Sequence, residues 1–96
     1  MKRYIITNSG KFVEITQKTY NIPNEHGVDI FAHKERDVWQ VTEGETGAAF
    51  GHGRTRKEAT EHALSNLAHF GIEDVLKRIS AILMQHGHTP GYRKTA

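Results

Sequence analysis

The sequence predicts an α+β fold: a four- or five-stranded, mostly antiparallel sheet followed by two helices packed on one face. Three observations carry this. Up to about residue 50 the chain consists of short β-branched and aromatic runs separated by Gly, Asn and Pro. From Thr55 onward apolar residues recur every three or four positions instead. Strands first and helices second is the α+β order, whereas an α/β chain alternates them. Ninety-six residues, 36% hydrophobic and 25% charged, suit one globular core and not two.

Taken in order, Arg3–Thr7 and Lys11–Thr16 flank Asn8-Ser9-Gly10 and read as a hairpin, with glycine available for a positive φ. Residues 17–27, punctuated by Asn21, Pro23, Asn24 and Gly27, read as a loop whose Tyr20 and Ile22 tuck against the sheet. In Val28–His33 the alternation puts Val28, Ile30 and Ala32 on one side and Asp29, Phe31 and His33 on the other. Lys34–Asp37 is a charged turn, and Val38–Thr42 completes a second hairpin with Trp39 and Val41 on one face. After the turn Glu43–Gly47, Ala48-Ala49-Phe50 is a short last strand leading into Gly51-His52-Gly53.

The helix from Thr55 to Gly71 is the best-defined element. Thr55 and Glu58 have capping-box spacing, in which the hydroxyl accepts a helical amide and the carboxylate reaches back to the Thr55 amide. Ala59, Ala63, Leu67 and Phe70, widened by Leu64, form its apolar stripe. Gly71 is placed to end it, with Ile72 folding back on Leu67. A second helix follows at once, with Ile72, Val75, Leu76, Ile79, Ile82 and Leu83 on one face and Glu73 and Asp74 at its positive end. Gly87 closes it. Residues 1–87 are therefore expected to form one domain, and 88–96, with Pro90, Gly91 and no apolar pattern, a flexible tail.

Composition bounds function more loosely. There is no cysteine, so disulfides and thiolate metal sites are excluded. No apolar run approaches a membrane span, and a cytoplasmic protein is the expectation. The net charge of +2 is unevenly spread: residues 1–24 carry four bases and one acid, 25–45 two and six, and 46–96 seven and four. Such a balance supports nucleic-acid binding only weakly. His62 and His69 share a helix face and His86 and His88 form an H-x-H, yet neither pair has a carboxylate at ligand spacing, so neither a metal nor another cofactor is expected. Ser9, Ser65 and Ser80 lack a nucleophile context. Glu14, Asp29 and Asp37 would serve as acids or bases only if the fold gathered them in a cleft. Tyr4, Phe31 and Trp39 read as core aromatics before they read as a base-stacking surface.

The candidate site is Gly51, His52, Gly53, Arg54, Arg56 and Lys57: flexible backbone and three cations at a helix N-terminus, where free amides and the dipole favour anions. Bases there oppose the dipole by about 0.3–1 kcal/mol each, which invites a ligand as the explanation. Against this stands a solvated turn whose cost Glu58 and Glu61 offset.

Gly53-x-Thr55-x-Lys57-Glu58-Ala59-x-x-x-Ala63, preceded by the hairpin Val28–Thr42, resembles the start of the helix in HicB-type antitoxin domains. That resemblance implies a sheet-and-helix module that binds and silences a partner protein. Gly51, Gly53, Thr55, Arg56, Lys57 and Ala59 also resemble the run that opens the last helix of a double-stranded-RNA-binding domain, which implies phosphate contacts. The present chain begins with strands where that family has its first helix. The expectation is a non-catalytic domain that regulates or inhibits a partner by protein–protein docking, with duplex RNA or DNA binding through Arg54, Arg56 and Lys57 as the alternative. The second helix, with six large aliphatics, is expected to support a homodimer as well.

Overall fold

The computed structural model describes residues 2–93. Its strands are β1 (Tyr4–Ile6), β2 (Phe12–Glu14), β3 (Tyr20–Asn21), β4 (Ile30–Glu35), β5 (Val38–Glu43) and β6 (Ala49–Gly53), followed by α1 (Arg56–Phe70) and α2 (Ile72–His86). All strand pairing is antiparallel, and the architecture is α+β.

The six strands form two sheets rather than one. β1 and β2 pair only with each other, turning through Gly10 at φ 81°. β3-β4-β5-β6 make the main sheet in chain order. The stretch expected to be a loop, 17–27, thus contains a strand: Tyr20 and Asn21 pair with Ala32 and Phe31, and Ile22 is buried beside them.

Register explains the core. Opposed residues of neighbouring strands share a face, so Tyr20, Ala32, Val41 and Gly51 form one row across the sheet. Ile30, Ala32 and Val41 from this face pack with Ile22 and with Ala59 and Ala63 of α1. The opposite face is buried as well: Phe31 and His33 are wholly enclosed and Thr42 nearly so. Arg3 lies over the Phe31 ring at 4.6 Å. The N-terminal hairpin is tied in where the Ile6 amide donates to Gly47 O at 2.9 Å.

α1 lies unusually close to β6. A Cβ on Gly51 would stand 2.8 Å from Ala63 N, and one on Gly53 2.6 Å from Ala59 N, so only glycine admits the helix at this distance. α1 also occupies the edge of the sheet: Asn66 Nδ2 donates to Phe50 O at 2.9 Å, and His62 Nδ1 accepts from the His52 amide at 3.1 Å. A free strand edge is a template for unwanted pairing, and these side chains remove it. Thr55 caps α1 by accepting from the Glu58 amide. The Glu58 carboxylate, however, accepts from the Arg54 amide at 3.0 Å, one residue before the amide its spacing predicts. Gly71, at φ 80°, ends α1 by donating to Leu67 O and begins α2 without a side-chain cap.

The C-terminal segment departs from expectation. Thr89 is buried, its amide donating to Glu45 O at 2.9 Å and its hydroxyl to Gly44 O at 3.0 Å, and Tyr92 reaches Asp29. Backbone partners across the Glu43–Gly47 turn, not an apolar pattern, hold this stretch down. The expected flexible tail therefore does not describe residues 88–93, and 94–96 lie outside the described residues.

Candidate functional site: a basic end of the sheet

The six residues singled out by the sequence divide into two groups. Gly51, His52 and Gly53 belong to β6, and their backbone is held in the sheet rather than in a flexible loop. Gly51 and Gly53 serve the approach of α1. The His52 ring meets the His62 ring edge-on, with centroids 4.8 Å apart. Arg54, Arg56 and Lys57 are exposed at the start of α1. Two amides there already have partners, Glu58 N on Thr55 and Arg54 N on Glu58.

The fold adds residues that sequence spacing does not connect. Lys34, Trp39 and Gly53 form the row next to the Ala32 row, on the same face as α1. Lys18 lies in the segment just ahead of β3. Arg56 reaches across this row, placing its guanidinium 4.2 Å from the centre of the Tyr20 ring, while Lys18 Nζ lies 5.1 Å from the same centre. Tyr20 in turn packs on Trp39, with ring centroids 5.8 Å apart. Lys18, Lys34, Arg54, Arg56 and Lys57 thus gather where the sheet meets the helix N-terminus, and Arg36 sits at the tip of the β4–β5 turn nearby, at φ 57°.

None of these cations joins an ion pair among the described residues. The contacts found are Lys2–Glu14, Arg3–Asp29, His26–Glu25 and His33–Glu35. Unpaired like charges repel, and stacking on Tyr20 offsets only part of that through the ring quadrupole. In water such a cluster creates a positive potential focused on one end of the molecule. Lys18, Lys34 and Tyr20 escape the sequence reading because they are remote from Arg54 in the chain. One signal was present: Lys34 keeps phase with Ile30 and Ala32, marking where the core face ends.

Elsewhere, titratable groups serve the fold. Asp29 accepts from Arg3 Nη1 at 2.7 Å and from Tyr92 Oη at 3.0 Å. Burial, then the charge of Asp29, holds the Tyr92 phenol protonated far above its usual range. Glu43 is buried and accepts from the Glu45 amide and from the amide and hydroxyl of Thr46. Burial raises its pKa in spite of those donors, which lower it. Glu14 pairs with Lys2 on β2, Asp29 stands beside β4, and Asp37 lies in the β4–β5 turn, so the three candidate acids do not meet in one cleft. Tyr4, Phe31 and Trp39 share no surface: Phe31 and Trp39 lie on opposite faces of the sheet, and Phe31 is core. Among the described residues no group of three or more His, Asp or Glu is placed to hold a metal, and no helix is long and apolar enough to cross a membrane.

A second feature is α2. Of its six-residue stripe only Val75 is buried; Leu76 is 51% exposed, and Met84, about two turns on, 90%. A cleft of about 280 Å³ opens between α2 and β6, lined by Phe50, Phe70, Val75, Ile79 and Ile82, with Arg78 stacked over Phe70 at 4.4 Å. No known protein family, curated protein or solved structure matches this chain.

Proposed function

We propose that this chain is a small non-catalytic interaction domain that works by docking on protein through α2, and that the first occupant of that face is a second copy of itself. The observation that carries this is the half-exposed stripe. Ile72, Leu76, Ile79, Ile82 and Leu83 are all incompletely covered, and an apolar cleft runs beside them. Exposed apolar patches of this kind mark interaction surfaces.

Leu76, 51% exposed, stands near the middle of the stripe, so two antiparallel copies can meet stripe to stripe about a two-fold axis there. Such an isologous contact closes on itself. The likeness of Gly53–Ala63 to antitoxin-type domains supports the same broad class, a regulator that acts by binding.

Sedimentation at micromolar concentration tests this. The wild-type chain should sediment as a dimer, and Leu76→Asp, a change at an exposed position, should be a folded monomer. A wild-type monomer up to the highest soluble concentration overturns self-docking.

A further inference from the structure

We infer that the basic end of the sheet is a second interaction surface, and that it takes the sugar–phosphate backbone of duplex nucleic acid. The inference is independent of α2. It rests on the meeting of Lys18 and Arg56 over the Tyr20 ring, and on the row that sets Lys34 beside Trp39 and Gly53 at the approach to α1. It rests also on the lack, among the described residues, of any carboxylate pairing Lys18, Lys34, Arg54, Arg56 or Lys57, and on the state of the aromatic residues among them.

The aromatics decide the kind of polyanion. Single strands are held without sequence preference by stacking bases on open aromatic faces. Here Tyr20 already carries Arg56 and Lys18 on its ring and packs on Trp39, so the pair offers no open platform. An acidic protein partner would want a desolvated apolar anchor pocket at the centre of its contact. Tyr20 at this end lies beneath Arg56 and Lys18, and the apolar cleft lined by Phe50, Phe70 and Val75 is beside α2. Solvated, long-armed cations fit a regularly spaced phosphate array, bound largely by release of its condensed counterions. Lys34 on β4 and Lys18 just ahead of β3 carry flexible four-carbon arms, so they can meet successive or cross-groove phosphates by adjusting their side chains.

The test is fluorescence anisotropy of the full chain with a labelled random-sequence duplex, a labelled oligo-dT strand and labelled poly-glutamate, across about 50 to 200 mM salt. The expected result is duplex binding that weakens with a log–log slope of about −3 to −4.5, as for roughly three to five phosphate contacts. The variant Lys18→Ala/Lys34→Ala/Arg54→Ala/Lys57→Ala should lose at least tenfold in affinity and most of that slope. Arg56 is left in place because it packs on Tyr20. A control with Lys2, Lys11 and Lys77 changed to Ala should bind nearly as wild type, and circular dichroism should show both variants folded. No duplex binding at low salt, or equal losses in the two variants, overturns the surface. Tighter binding of oligo-dT than of duplex overturns the backbone-only mode, and equal binding of poly-glutamate overturns the commitment to phosphodiesters.

Discussion

His33 is an imidazole sealed inside a sheet with one nitrogen unanswered. Its Nε2 lies 2.8 Å from Thr42 Oγ1, but Nδ1 has no hydrogen-bond partner, and the Glu35 carboxylate is 3.9 Å away. Burial lowers the His33 pKa below 6.5, outweighing Glu35, which raises it. Between that lowered value and 6.5 the unfolded chain binds a proton that the fold refuses. Stability from this residue is thus full above about pH 6.5 and is lost as pH falls through the folded value. Glu43 has the opposite sign: its raised pKa makes its contribution full below 4.5 and declining as pH rises through the folded value. That term is common to wild type and any His33 variant. His33→Gln, which keeps a polar atom for Thr42, should therefore shrink the drop in Tm between pH 7.5 and 5.5. An identical drop in both proteins would show that another group governs the acid limb.

At the scale of elements, the contact of β6 with α1 organises the domain. The Gly53–Ala63 run is accounted for almost entirely by this packing. Gly53 admits Ala59, Thr55 caps the helix, Glu58 holds the Arg54 amide, and Ala59 and Ala63 lie flat on the sheet. Of the motif's residues, Lys57 has no such structural task. Gly53→Ala would set a methyl against Ala59 N and Glu58 Cβ, both closer than 3.0 Å, where backbone cannot yield cheaply. Overpacking of this kind should cost about 1–3 kcal/mol, read as a lower urea midpoint at unchanged m. An unaltered midpoint would mean that α1 shifts outward freely, and that the closeness is incidental.

Across the whole molecule, Asp29 joins segments far apart in the chain. It takes Arg3 from the N-terminal strand region and Tyr92 from the C-terminal segment, beside the strand that forms the centre of the sheet. The radius of gyration is 12.4 Å, against about 12.5 Å expected for a compact chain of this length. Asp29→Ala should cost about 1.5–3 kcal/mol, the range for a charge-assisted hydrogen bond. It should also raise amide exchange at Ile6 and Thr89 together, since their donors to Gly47 and Glu45 depend on the same anchored turn. Faster exchange at only one of the two would show that the termini are held independently.

The amino-acid sequence by itself determined the α+β class, both hairpins, the start and stop of α1, the stripe of α2 and the Gly71 and Gly87 stops. Each follows from local physics: periodicity, capping spacing and a glycine where φ is positive. The tertiary structure alone decided that the first hairpin forms its own sheet, that residues 20 and 21 make a strand, and that Thr89 and Tyr92 are held down. These depend on partners remote in the chain, to which a single stretch of sequence gives no access. The candidate site divides the same way. Arg54, Arg56 and Lys57 were legible as a local run, whereas the close approach of Gly51 and Gly53 to Ala63 and Ala59 of α1 was not. Lys34 joined the cluster only because antiparallel register sets it beside Trp39 where the core face ends, and Lys18 because its chain folds back over the Tyr20 ring.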